Sequence, residues 1–176
     1  MELMFGIGLS LSITAVTLGM WRVANDRSNA TQSVSDLGRV RAEIGRIYNT
    51  TEQAGYGALT AAALRNRGAE LSDLWVPAQS AYNIGGTLIT VGAGDRVPGG
   101  AGAAGDSYKL VLQSAKPRAC QQVVLASMRD AVFARVTNEG GTPIDIAGLP
   151  GSATEAAVQV ACNRPPSVRV EIDFNN

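Results

Sequence analysis

Few residues in this 176-residue chain are equipped for chemistry. It has no histidine, which removes the commonest general base at neutral pH, the commonest metal ligand and the usual partner of a nucleophile. Its two cysteines, Cys120 and Cys162, cannot supply the four ligands of a structural zinc site without histidine. No metal and no cofactor are expected. A crosslink between the cysteines would hold the C-terminal segment onto the rest. In the chain-entropy model, closing a loop of that size stabilises by about 4 kcal/mol. The alternative is a reactive thiol pair, which lacks both a C-x-x-C spacing and a histidine to activate a thiolate.

The remaining candidates fail on context. Gly100-Ala101-Gly102-Ala103-Ala104-Gly105 spells G-x-G-x-x-G. A dinucleotide site needs a strand before that pattern, a helix after it and an acid about 20 residues on. Here Pro98-Gly99 precedes it, the strand-like YKLVLQ comes after it, and positions 124–128 hold no acid. It reads as a flexible glycine loop. Glu171 and Asp173 share the face of a C-terminal strand opposite its apolar side, so both are expected to point to solvent. Asp145, in TPIDIAG, is expected in a loop. No pair of carboxylates converges as a glycosidase or aspartic protease requires, and the chain is expected not to be an enzyme. The 15 basic and 15 acidic residues cancel, so no global field steers it to nucleic acid or an anionic membrane. The basic side is 13 arginines against two lysines, Lys109 and Lys116, a bias that favours bidentate pairing with carboxylates.

One acid stands apart. Glu2 opens a stretch of 18 uncharged residues, Leu3 to Met20, closed by Trp21 and Arg22. As a helix this stretch measures about 27 Å, the thickness of a hydrocarbon core, with an aromatic and a snorkelling cation at its interface end. It lacks the basic start of a secretory signal peptide. Gly6, Gly8 and Gly19, with Ser10, Ser12, Thr14 and Thr17, allow close helix–helix approach, and the glycines also weaken the helix locally. Beyond Arg22 the pattern turns amphipathic: Val34, Leu37, Val40, Ile44 and Ile47 form one stripe. The first proline is Pro77, so Met1 to about Tyr48 reads as one helix of about 70 Å. The expected organisation is an apolar transmembrane or filament-core helix over 1–24, then its amphipathic continuation and a globular head over 25–176.

In the head, Asn49–Glu52 reads as a break in which Thr50 or Thr51 caps the next helix. Tyr56 to about Arg67 reads as that helix, stopped by Gly68, and Ser72–Pro77 as a turn or short extended piece. Gly85–Val91 reads as a strand after a glycine turn, Tyr108–Gln113 as a second strand, and Gln121–Val136 as a helix with Val124, Met128 and Val132 inward. Val168–Phe174 alternates cleanly as a half-buried antiparallel strand. Two to four strands beside helices make an α+β fold: a long N-terminal helix packed on a small antiparallel-sheet head.

The layout resembles that of a bacterial type IV pilin, and more closely the type IVb branch of toxin-coregulated and conjugative thin pili. The resemblance covers essentially the full chain. It rests on Glu2 opening MELMFGIGLSLSITAVTLGMW, the amphipathic continuation to Tyr48, the GGTLITVGAG segment, the late Cys120/Cys162 pair and the tail ACNRPPSVRVEIDFNN. It implies a prepilin cut by a prepilin peptidase and N-methylated at the first residue, here Met1. Subunits then wait in the inner membrane until the pilus assembly machinery builds them into a helical homo-oligomer at the cell surface. Glu2 would neutralise a neighbour's N-terminal amine in the filament core, Gly6, Gly8 and Gly19 would serve helix packing and unwinding, and Cys120 and Cys162 would bound a disulfide region. The family's glutamate is normally the fifth residue, where this chain has Phe5, and its usual proline near the end of the apolar half is missing. The implied function is that of a major structural subunit serving adhesion, aggregation or conjugative contact; the alternative is a minor pilin or a type II secretion pseudopilin that binds or primes.

Overall fold

A computed structural model describes residues 2–49, 55–94, 107–138, 141–147, 155–164 and 167–175; within the first helix it describes the side chains of residues 20, 21 and 23–48. That helix, α1, runs unbroken over Glu2–Asn49. The stripe read from the sequence is its docking face: Leu37, Val40, Ile44 and Ile47 are buried, and Val34 packs partly buried against the same core. Asn49 still belongs to α1, and the rest of the expected break, 50–52, with its threonine caps, lies outside the described residues. Helix α2 is shorter than expected, Ala61–Asn66, and is capped by Thr60, whose hydroxyl accepts from the Ala63 N–H at 3.0 Å. Gly55, at φ +72°, and Gly57 keep the preceding turn out of the helix, and Tyr56 and Leu59 reach into the core instead.

Among the described residues the sheet has seven strands, where two to four were expected. They are β1 (Trp75–Val76), β2 (Ala81–Ile84), β3 (Thr87–Ala93), β4 (Ser107–Ala115), β5 (Ala131–Asn138), β6 (Ile144–Ala147) and β7 (Val168–Asn175). Their order is β1-β2-β3-β4-β7-β5-β6, with antiparallel neighbours throughout. The C-terminal strand is therefore interior, inserted between β4 and β5. Its Val168, Val170, Ile172 and Phe174 form a fully covered row. Asp173 corrects the expectation of a solvent-facing pair. It is 4% exposed, because an interior strand has neighbours on both sides, here Lys109 on β4 and Phe133 on β5. Asp145 is likewise not in a loop: it lies on β6 opposite Arg135 and accepts from its guanidinium at 2.6 and 2.9 Å.

The expected helix 121–136 is two elements. Helix α3 spans Pro117–Ser127, with Pro117 in its first turn, and β5 begins at Ala131 after a turn closed by Asp130 N–H to the Ser127 carbonyl, 3.0 Å. Val132 is a strand residue, and Met128, the C-cap of α3, packs partly buried against the core as expected. Helix α4, Glu155–Cys162, has no counterpart among the expected elements. Cys120 and Cys162 join α3 to α4 in a disulfide with Cα atoms 5.7 Å apart. The glycine loop at 100–105 lies outside the described residues.

Candidate assembly surface

Helix α1 is held on the head by its apolar row and by ion pairs along both flanks. On one flank Arg39 clasps Asp73 with two hydrogen bonds of 2.9 and 3.1 Å. The pairing holds the Asp73 carboxyl below the usual carboxylate range. One turn on, Glu43 accepts from Arg46 at 2.7 Å and from the Glu70 N–H at 3.3 Å, and Arg46 also reaches the Gly68 carbonyl. The Arg46 hydrogen bonds likewise hold the Glu43 carboxyl low. On the other flank Arg41 pairs with Asp130 at 3.0 Å and lies 4.2 Å over the Phe174 ring. That ring ends an aromatic row, Tyr48–Tyr56–Tyr108–Phe174, with centroids 5.0 to 5.5 Å apart. Burial pushes the Tyr108 hydroxyl up, against the pull of the Arg41 charge.

Near Gly85-Gly86 the helix meets the sheet. Ile84 pairs with Thr87, and both glycines have positive φ, +54° and +82°, the two-residue hairpin turn that glycine favours. A Cβ at Gly85 would collide with Ser33 and the Asn29 carbonyl, so the turn can sit against α1 only with glycine there. Below this turn α1 leaves the head. Ala30 is buried and Asp26 half-buried, while Val23, Trp21 and Met20 are exposed, Trp21 at 65% and Met20 at 69%. The helical backbone from residue 2 to this point measures about 36 Å. Met20, Trp21 and Val23 are thus three large apolar side chains exposed close together where the helix exits, with Leu125 on α3 and Val160 on α4 the other large apolar side chains exposed among the described residues.

Of the residues singled out in the sequence, Glu2, Gly6, Gly8 and Gly19 fall in the projecting helical backbone. Met1 lies outside the described residues, as does the Glu2 side chain. Among the described residues no helix is long and apolar enough to cross a membrane; the span expected over 3–20 rests on side chains outside them. Nor do three or more His, Cys, Asp or Glu residues among those described gather into a metal site. A cavity of about 510 Å³ lies where α1 exits, lined by Asp26, Asn29, Gly85, Lys116, Pro117 and Arg118 among others. The sequence signals the docking stripe and the cysteines. It does not signal the flanking ion pairs, since no local spacing links Arg39 to Asp73 or Arg41 to Asp130.

No protein-family model matches the chain, and no curated protein matches it in sequence. Its fold is similar to solved structures, among them TcpA, a type IV pilin from the Vibrio cholerae El Tor biotype. The TM-score is 0.53 at 18% identity, over 84% of this chain and 99% of that one. The fold is the α+β type IV pilin fold.

Proposed function

We propose that the chain is a structural subunit of an extracellular type IV pilus, with no enzymatic activity, and that it polymerises through α1. The division of that helix carries the reading. Its second half is docked by an apolar row and flanking ion pairs, while its first half projects with Met20 and Trp21 exposed, on a fold shared with a type IV pilin. Residues 1–24 are the membrane span before assembly and the filament core after it; 25–176 are the head. Met1 is the methylated mature terminus, Glu2 neutralises a neighbour's amine in the core, where an unpaired charge would be costly, and Gly6, Gly8 and Gly19 let neighbouring helices approach. A prepilin peptidase and the pilus assembly machinery act on the subunit at the inner membrane. The head carries no added binding domain among the described residues, which favours the major subunit over a minor pilin or pseudopilin.

The test is electron microscopy of material sheared from producing cells, with mass spectrometry of the N-terminus. Filaments built mainly of this chain and beginning at a methylated Met1 are expected. Recovery only in the inner membrane, or as a trace in filaments of another protein, would move the assignment to the minor-subunit class.

A further inference from the structure

The formal charge of the chain is zero, yet the fold does not spread it evenly. The strand registers define one end of the sheet: Ala115 and Asn138 both pair with Val168 there, and the Gly85-Gly86 turn meets α1 at Asn29 and Ser33. At the same end, β4 hands over to α3 through Lys116-Pro117-Arg118. Lys116 and Arg118 are exposed and line the cavity beside Asp26 and Asn29. Arg164 lies just past α4, two residues after the cysteine joined to Cys120, and Arg169 lies at the start of β7. Arg27 is exposed on α1 between Trp21 and the docked row. The acids facing this set are Asp26, 3.4 Å from Lys116, and Glu171, 2.7 Å from Arg169. Glu139, beyond β5, lies outside the described residues. Arg27, Arg118 and Arg164 therefore add to two cations already matched, and Arg22 adds another in sequence. Elsewhere on the head acids are matched by arginines, as Asp73 is by Arg39, Glu43 by Arg46 and Asp130 by Arg41.

We propose that this basic collar rests on the anionic headgroups of a phospholipid bilayer before assembly and holds the head upright over its embedded helix. The proposal rests on the reading of residues 1–24 as a membrane span. The occupant is argued from charge complementarity and from continuity. The collar lies at the end of the head where α1 exits, with Lys116 and Arg118 beside the exit itself, just beyond the exposed Met20 and Trp21, which is the depth of a headgroup layer for a helix whose preceding 18 residues are uncharged. Each Lys or Arg near such a surface contributes roughly a fivefold bias toward contact, and salt screens it. Release into a filament then requires that helix–helix packing outweigh the attraction of the collar to the headgroups.

The experiment reconstitutes the full chain into phosphatidylcholine vesicles with and without about one-third phosphatidylglycerol. Flotation reads helix insertion, and hydrogen exchange reads amide protection in 85–87 and 113–119. The expected result is flotation with both vesicles, with protection at least tenfold higher in the anionic ones. That gain should be lost at about 1 M salt and in the K116Q/R118Q/R164Q variant, whose thermal melt serves as the fold control. Equal protection in both vesicles, or protection found only in assembled filaments, overturns the collar while leaving the embedded helix standing. Failure to float with either vesicle removes the membrane reading, and the collar with it.

Discussion

The two halves of α1 share a continuous backbone but differ in where their partners are. From Asp26 to Tyr48 the helix alternates a buried row with charged flanks, and long polar side chains there are matched to groups on the head, as Arg39 is to Asp73 and Arg41 to Asp130. From Val23 back to Met20 the described side chains are exposed, and three of them are large and apolar. An isolated helix gains little from propensity alone, so the docked half owes its place to packing. In the proposed function the projecting half finds its partners in neighbouring subunits. The head thus supplies partners for one half and the proposed filament would supply them for the other, so substitutions should separate the two.

The largest effect is expected at the wall on which the docked half leans. Helix α1 packs against α3, and α3 is tied to α4 by Cys120–Cys162. Replacing both cysteines by serine should cost about 4 kcal/mol of head stability in a urea melt. A midpoint unchanged between oxidised and reduced protein would mean that packing alone holds the wall. Next comes a direct contrast within α1. Ile44, fully buried, should cost about 3 kcal/mol as Ile44→Ala. Trp21→Ala should move the melt of the detergent-solubilised subunit by less than about 0.5 kcal/mol, yet sharply lower the yield of sheared filaments. If Trp21→Ala destabilised the isolated subunit as much as Ile44→Ala, the division of the helix would be wrong.

The contrast also explains what can be read from the chain. The docking row of α1 is legible because a helix face repeats locally, and β7 is legible because strict alternation from Val168 to Phe174 is a local signal too. Strand β5 is not. A bulge between Ala131 and Phe133 breaks its alternation, and no glycine or proline separates it from α3, so Ala131–Val136 reads as a continuation of the helix. Strand β2 is only four residues, AYNI, and its identity as a strand comes from pairing with β3 across Gly85-Gly86. Asp173 defeats a local reading because exposure on a sheet depends on whether a strand is interior, and the insertion of the last strand between β4 and β5 is a long-range fact. The flanking ion pairs of the assembly surface are illegible for the same reason, whereas the exposed Trp21 is visible in sequence as the point where the apolar run ends.

Two intermediate effects sharpen the boundary of the docked half. Gly85→Ala places a methyl against Ser33 and the Asn29 carbonyl at a positive φ. About 2 kcal/mol of destabilisation is expected, with faster exchange of the α1 amides from 26 to 33 and no change near Ile44. A uniform change along the helix would show that the turn acts on the whole head rather than at the exit. Arg41→Met removes the guanidinium from Phe174 and Asp130 while keeping an aliphatic stem. About 1 kcal/mol is expected, measured by thermal melt, and the matching Asp130→Asn change should add little on top of it if the two act as a pair.

The smallest effect is a pH dependence confined to the docked half. The Glu43 carboxyl is held low by hydrogen bonds from Arg46, with the Glu70 N–H adding to them. Its folded value lies below its unfolded one, so the unfolded chain binds more protons in the window between them and stability rises with pH there. The contribution is present above the ordinary glutamate range near about 4.3 and is lost as pH falls through the lowered folded value. The pair lies near the surface and is screened, so the loss is small, and salt should shrink it further. Glu43→Gln should flatten the slope of stability against pH below about 4 while leaving the neutral-pH fold intact; equal slopes in the two proteins would remove Glu43 from the clamp. From Leu3 to Met20 the chain carries no side chain that titrates in this range, so the helicity of the projecting half in detergent should not track the same curve. An acid transition shared by both halves would mean that the projecting half is held by the head after all.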